Sequence, residues 1–237
     1  MTFQKLHTPS LKELFVKELE TRILSGRLAI GEKLPPEREL ASSMEVSRAV
    51  INGGITELAQ KGFLLIKPRV GTFVADYRKE GTLETLISIM NYNGGTLKNT
   101  EISSILEVRL ALDSLALRLG IPKMSEADIA ELSKITESIR QAADIPEACR
   151  QAFAFQHQLA FLSGNTLIPL IFKSFEVPVA TLWERFCQLY GIPALYENTA
   201  SLLKYIKQRD TNGAIAFLES YLEDTISGNR PIYYENQ

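Results

Sequence analysis

The chain has 237 residues, 45% hydrophobic and 23% charged, with 26 Lys plus Arg against 28 Asp plus Glu and a formal net charge of -2. That composition supports a folded core, excludes disorder as the main state and, taken whole, gives no hint of nucleic acid or an acidic membrane. Two Cys (Cys149, Cys187) and two His (His7, His157) leave no disulfide framework, zinc ribbon or His-rich site. No apolar run approaches the roughly 18 residues of a membrane span, and the polar stretch Met1 to Ser10 lacks a signal-peptide core, so a reducing cytoplasm is expected.

The average conceals a split. Through residue 76 the chain holds 11 basic and 9 acidic residues, and beyond it 15 and 19. Leu11, Leu14, Phe15, Leu19 and Ile23 recur at helical spacing and predict a helix that stops at Gly26. Leu28 to Leu34 reads as a turn. Pro36 then opens a short helix, Glu37 to Ser43, with Leu40 and Ala41 inward. Ser47 is a good N-cap for a third helix running to about Lys61, closed by Gly62. Two short apolar runs, Phe63 to Ile66 and Thr72 to Val74, flank Lys67-Pro68-Arg69-Val70-Gly71 and predict a β-hairpin with a basic tip.

Helix, helix, turn, helix, basic hairpin is the order of a winged helix-turn-helix, in which one helix fits the major groove and the wing touches the backbone or minor groove. The same order also describes a three-helix knot with a hairpin and no DNA role. The wording of the segment is more specific. Gly31-Glu32-Lys33-Leu34-Pro35-Pro36-Glu37-Arg38-Glu39-Leu40-Ala41, Val46-Ser47-Arg48, Leu58-Ala59-Gln60-Lys61-Gly62-Phe63 and Gly71-Thr72-Phe73-Val74 resemble the GntR family of bacterial transcription regulators across residues 11–74. The resemblance implies a homodimer on a palindromic double-stranded DNA operator. By it, Arg38 contacts the operator, Ser47 and Arg48 open the recognition helix, and Arg69 and Gly71 sit in the wing. Arg48 suits a base reader because Arg forks onto guanine O6 and N7; Ser47 suits a phosphate contact or a cap. The plainer readings are an ion pair of Arg38 with Glu37 or Glu39, and a solvated loop cation at Arg69. The family usually carries a second Arg one turn after Arg48, where this chain has Asn52. Asn reads adenine but cannot replace Arg on guanine or phosphate, so an altered operator or weaker binding is expected. Gly53 and Gly54 each cost the helix roughly 1 kcal/mol relative to Ala.

Residues 77–82 read as a linker between a DNA-binding domain at 1–76 and a second domain at 83–230. There, helices are expected near 82–92, 101–119, 125–142, 147–163, 166–190, 195–208 and 211–227, with no strand pattern, so this part is all-α. Ser125 with Asp128 resembles a capping box. The overall class is mainly α.

Glu107-Val108-Arg109-Leu110-Ala111-Leu112-Asp113 and Phe155-Gln156-His157-Gln158-Leu159-Ala160-Phe161-Leu162-Ser163-Gly164-Asn165 resemble the effector domain of the fatty-acid-regulator subfamily of GntR proteins. That resemblance implies a helical bundle which dimerises and binds a small effector. Many members hold a metal with three His and an acidic residue. Here the corresponding places carry Ala152, Gln156, Thr199 and Tyr221, and His157 lies about 100° around the helix from the first. No metal and no cofactor is expected. The metal-free branch implies an effector of acyl-CoA, fatty acid or carboxylate type, its polar head on Gln156, Thr199 and Tyr221. Arg109 is open to two readings: a partner for a ligand carboxylate, or an ion pair with Asp113 one turn on. The aromatic set from Phe153 to Tyr190 reads as ordinary core.

No nucleophile set, phosphate loop or paired acids point to catalysis. The expected function is a DNA-binding transcription regulator, not an enzyme, controlled by a small effector. The alternative is a DNA-binding dimer whose second domain binds no ligand.

Overall fold

A computed structural model describes residues 9–92, 97 and 99–233; the N-terminal stretch 1–8, with His7, lies outside the described residues. Two compact units divide the chain, Met1–Thr96 and Leu97–Gln237.

The first unit begins with α1 (Leu11–Leu24), capped reciprocally: Ser10 Oγ accepts from Glu13 N at 3.2 Å, and Glu13 Oε2 accepts from Ser10 N at 2.7 Å. Its buried stripe is Phe15, Val16, Leu19 and Ile23. Leu11 and Leu14, expected on that face, are 56% and 50% exposed. The reason lies in α3 (Arg48–Gln60), which packs against α1. A Cβ on Gly54 would stand 2.2 Å from Phe15 Cδ1, so Phe15 fills the notch that this glycine leaves, which turns Leu11 and Leu14 aside. The propensity cost of Gly54 is thus offset by close helix approach. Between them, α2 (Glu37–Ser43) follows Pro36 and buries Ala41, with Leu40 partly buried against the same core.

Strands β1 (Leu64–Lys67) and β2 (Gly71–Val74) pair antiparallel, Leu64 opposite Val74 and Lys67 opposite Gly71. The segment expected as a bare turn adds a third extended piece. Lys33 bridges Phe73, Leu34 N donates to Thr72 O at 2.8 Å, and Val74 N donates to Glu32 O at 2.8 Å. These bonds occupy the free edge of β2.

The stretch read as a linker is also structured. Tyr77–Glu80 forms a helical turn, α4, whose Tyr77 ring lies 5.6 Å from that of Phe63. Helix α5 (Leu83–Tyr92), expected to open the second domain, packs on α1 instead. Ser88 Oγ donates to Glu20 Oε1 at 2.8 Å, and Thr85 Oγ1 to Lys61 O. The compact boundary therefore falls after residue 96, and side chains too far apart in sequence to be paired by pattern set it.

The second unit is all helical among its described residues: α6 (Asn99–Gly120), α7 (Glu126–Arg140), α8 (Ile145–Leu162), α9 (Ile168–Ser174), α10 (Glu176–Lys207) and α11 (Thr211–Ile226). Side-chain caps start three of them: Ser125 with Asp128 on α7, Asp144 on α8 and Asp210 on α11. The single helix expected over 166–190 is broken at Phe175. Pro178 explains this, because it has no N–H for the carbonyl of Ser174 and its ring clashes there, so the chain ends one helix and starts another with Pro in its first turn. Where separate helices over 166–190 and 195–208 were expected, α10 runs through to Lys207 with a kink at Gly191, whose φ is 83°. Helix α8 is central: Ala148, Cys149, Ala152, Phe155 and Leu159 are all buried. Both cysteines are free and buried.

Candidate DNA-reading groove and effector cavity

Four of the residues singled out for DNA binding meet in one groove of about 480 Å³, lined by Arg38, Arg48, Arg69 and Gly71 among others. Arg38 is the second residue of α2 and Arg48 the first of α3, and both are exposed. Ser47 caps α3, its Oγ accepting from Val50 N at 3.3 Å. Capping occupies one lone pair and leaves the hydroxyl proton available. Asn52 is exposed one turn along α3 and does not line the groove.

The wing tip has an unusual backbone. Val70 N donates to Lys67 O at 3.0 Å, which closes a turn with Pro68 second and Arg69 third. Arg69 sits at φ 63°, a place where such turns favour glycine. An L-residue in that conformation costs about 1–2 kcal/mol. The strain holds the guanidinium at the tip, facing the groove that Arg38 and Arg48 also line.

Two cations complete the surface. Lys33 and Lys67 line the same groove, with Nζ atoms 5.9 Å and 4.9 Å from the centre of the Phe73 ring. The ring steadies both ammonium groups. Gly71 suits this place because its φ of 136° is one that L side chains rarely adopt. Lys67 was part of the basic tip in sequence. Lys33 carried no local signal, since only the third extended segment brings it to the wing. The ion pairs found among the described residues, such as Lys12–Glu57 and Lys61–Glu20, do not involve Lys33, Arg38, Arg48, Lys67 or Arg69. Glu37 is the one acidic residue in the lining. Five cations on one concave face give a local positive potential that the net charge of -2 hides.

The second unit gathers the effector residues with equal economy. Arg109, Gln156, Thr199 and Tyr221 line one cavity, with Ala152 and Trp183, so all four places that carry metal ligands in the resembling subfamily do converge. Their side chains supply no imidazole or carboxylate, and no metal-ligand cluster exists among the described residues. The cavity is small, about 10 Å³, room for about one water molecule. Two of its polar side chains, Arg109 and Thr199, are engaged within the chain. Arg109 Nε donates to Asp113 Oδ2 at 3.1 Å, with the two side chains 4% and 2% exposed, and the guanidinium carbon lies 4.7 Å from the centre of the Trp183 ring. Of the two readings of Arg109, the ion pair is the one present. Burial pushes Asp113 up to about 6, against the pull of Arg109. Thr199 Oγ1 donates to Leu195 O at 3.1 Å. His157 faces elsewhere, as its helical angle implied: its ring is 5.5 Å from Phe153 and 4.8 Å from Phe161, and its Nε2 is 3.2 Å from Pro169 O.

Each of the two units matches a known family. Residues 11–74 match the family described as bacterial regulatory proteins, gntR family, and residues 104–224 match the FCD domain. The chain is similar to the transcriptional regulator Mce2R of Mycobacterium tuberculosis, 29% identical over 180 residues that cover 74% of this chain and 73% of that protein. It is also similar to the fatty acid metabolism regulator protein of Shewanella halifaxensis, 26% identical over 163 residues, 68% of this chain and 65% of that one. Its fold matches the solved structure of Lar, which controls expression of the Listeria monocytogenes agr system, with a TM-score of 0.65 at 16% identity, covering 95% and 99% of the two chains. No helix among the described residues is long and apolar enough to cross a membrane. The chain belongs to the GntR family of bacterial regulatory proteins, a DNA-binding transcription regulator whose second unit is an FCD, effector-binding domain.

Proposed function

We propose that this regulator binds a palindromic operator as a cytoplasmic homodimer through Arg38, Ser47, Arg48, Asn52, Arg69 and Gly71, and that a small effector held by the helical unit sets its operator affinity. The observation that carries the reading is the groove shared by Arg38, Arg48 and Arg69, which five cations line. In this mechanism α3 enters the major groove, and Arg48 forks onto a guanine from its first turn while Asn52 reads an adenine. Arg69 reaches from the wing, Gly71 lets the backbone come close, and Arg38, Lys33 and Lys67 hold phosphates that set the register. Effector binding changes the spacing of the two reading heads, and affinity falls by the coupling energy between the sites. Gel-shift titration on the chain's own upstream DNA, over a range of salt, tests this: retardation that weakens steeply with salt is expected, and no retardation at low salt would sink it.

For the effector, the name of the Shewanella relative favours the fatty acyl or carboxylate class, with Gln156, Thr199, Tyr221 and Arg109 at its head. The dimensions of the cavity speak against that class. A space of about 10 Å³ admits no acyl chain in this conformation, and the charge of Arg109 is already matched by Asp113. The same observation favours a second reading, in which the helical unit dimerises and its central cavity senses nothing. A thermal-shift series with fatty acids, acyl-CoAs and small carboxylates separates the two.

A further inference from the structure

The face that α3 turns to solvent has two edges. Arg48 marks one, beside the wing and the start of α2. Exposed Asn52, Thr56 and Ala49 follow round the helix, at about 40°, 80° and 100° from it. Gly53 and Glu57 mark the other edge, at about 140° and 180°. Lys12 of α1 lies there. Its Cδ is 3.3 Å from where a Cβ on Gly53 would stand, and its Nζ is 2.9 Å from Glu57 Oε2. The stem of Lys12 thus runs along the far edge of the helix and carries a further cation to it.

The pair that Lys12 makes is a loose one. Glu57 also holds Lys61, Nζ to Oε1 at 3.2 Å, and Lys61 reaches Glu20 Oε1 at 3.0 Å as well. The side chain of Lys12 is 46% exposed, against 22% for Lys61. An ion pair this exposed contributes little, and Glu57 keeps Lys61 when Lys12 leaves. Glu13, next to Lys12, is taken up in the cap of α1.

A helix with its side chains is roughly 10–12 Å across and the major groove roughly 12 Å wide, so a helix seated there has a phosphate strand along each side. The five cations of the reading groove lie on the Arg48 side. Cations on one side alone leave the helix free to roll about that line of contact. We propose that Lys12 is a further operator-binding residue, which exchanges Glu57 for a phosphate of the strand that passes the far edge of α3. The second line of contact fixes the tilt at which Arg48 and Asn52 meet the bases. As a point charge on a phosphate, Lys12 carries no base preference of its own. The inference rests on the reading of α3 as the DNA-reading helix.

The test is gel-shift titration of the full-length protein over a range of salt, on its own upstream DNA and on mixed-sequence duplex, with melting temperature as the check on folding. Lys12→Gln is expected to weaken binding to both DNAs about three- to tenfold at low salt and to lower the slope of log affinity against log salt by about 1. Lys12→Arg keeps the charge and should keep the slope. Glu57→Gln should do the opposite of Lys12→Gln and tighten binding about two- to fivefold, because Lys12 no longer has a carboxylate to leave. The double variant should bind as Lys12→Gln does. A pair that serves only the fold would behave otherwise: both single variants would lower the melting temperature and neither would move the slope. An unchanged slope in Lys12→Gln, weaker binding by a folded Glu57→Gln, or a double variant that keeps the gain overturns the proposal; if Glu57→Gln does not fold, the slopes of Lys12→Gln and Lys12→Arg decide it. Failure of the unsubstituted protein to retard either DNA removes the reading of α3 and the proposal with it. Retardation with a slope that Lys12→Gln leaves unchanged removes the proposal alone.

Discussion

The reading groove and the central cavity both hold arginines, and the two treat them in opposite ways. Arg38, Arg48 and Arg69 stand at a surface and line one concavity. Arg109 is buried, paired with Asp113 and covered by Trp183. A charge in water carries little desolvation penalty and can await a phosphate; a charge in the interior must be matched within the chain. The contrast separates exposed arginines that line one groove from a buried arginine whose charge Asp113 meets, and Arg109 belongs to the second group although it lines the cavity.

The largest expected effect comes from breaking the buried pair. Arg109→Met leaves Asp113 buried without its cation and should cost about 3–5 kcal/mol of stability at pH 8. The cost should depend on pH in a defined direction. Asp113 is held above its ordinary 3.8, at about 6, so stability linked to it is complete below 3.8 and is lost as pH rises through 6. Without Arg109, which lowers that value, the carboxyl titrates higher still. The deficit measured by denaturant unfolding should therefore shrink between pH 8 and pH 5. A deficit below 1 kcal/mol, or one flat with pH, would mean that the pair does not hold this part of the fold.

The groove should respond in the reverse way. Arg48→Ala should change stability by no more than about 0.5 kcal/mol, yet weaken operator binding by about 1–3 kcal/mol and relax preference at one base position. If Arg48→Ala lost stability and kept its base preference, the two regions would not differ as described. Smaller again are the two lysines on Phe73. Lys33→Gln and Lys67→Gln should each weaken binding to all sequences alike and lower the slope of log affinity against log salt by about 1. An unchanged slope would place that lysine off the phosphates.

Much of both regions was legible in the chain, and the parts that were not share a cause. The starts at Ser47 and Ser125 could be read because these residues satisfy N–H groups three residues on; Ser10, Asp144 and Asp210 cap in the same local way, and the structure adds them. Arg38, Arg48 and Arg69 could be named because motif and order locate them. The break at Phe175 was readable from Pro178 and was passed over, since the apolar spacing continues through it. Other features had no local signal. Lys33 joins the groove through a bridge to Phe73, forty residues away in sequence. Likewise α5 belongs to the first unit because Ser88 reaches Glu20, and the outward turn of Leu14 depends on Phe15 meeting Gly54. In the cavity, the convergence of Ala152, Gln156, Thr199 and Tyr221 was expected, but its closure depends on how Trp183 and Leu202 fill space, which no spacing encodes.

The smallest effect tests whether the groove stores strain for its ligand. Arg69 holds φ 63° at the third position of a turn that favours glycine. Arg69→Gly removes the steric penalty, while glycine adds back some entropy to the unfolded chain. The balance should be a gain of about 0.5–1 kcal/mol in stability, read as a small rise in melting temperature. Operator affinity should fall at the same time, because the guanidinium at the wing tip is gone. Arg69→Lys separates the two terms: it keeps a charge and the strained backbone, so stability should hold and non-specific affinity should largely survive, while any contact that needs the planar fork is lost. A wing whose stability is unmoved by Arg69→Gly would show that its backbone is relaxed there. The arginine would then be an ordinary loop cation, and the difference between groove and cavity would reduce to exposure alone.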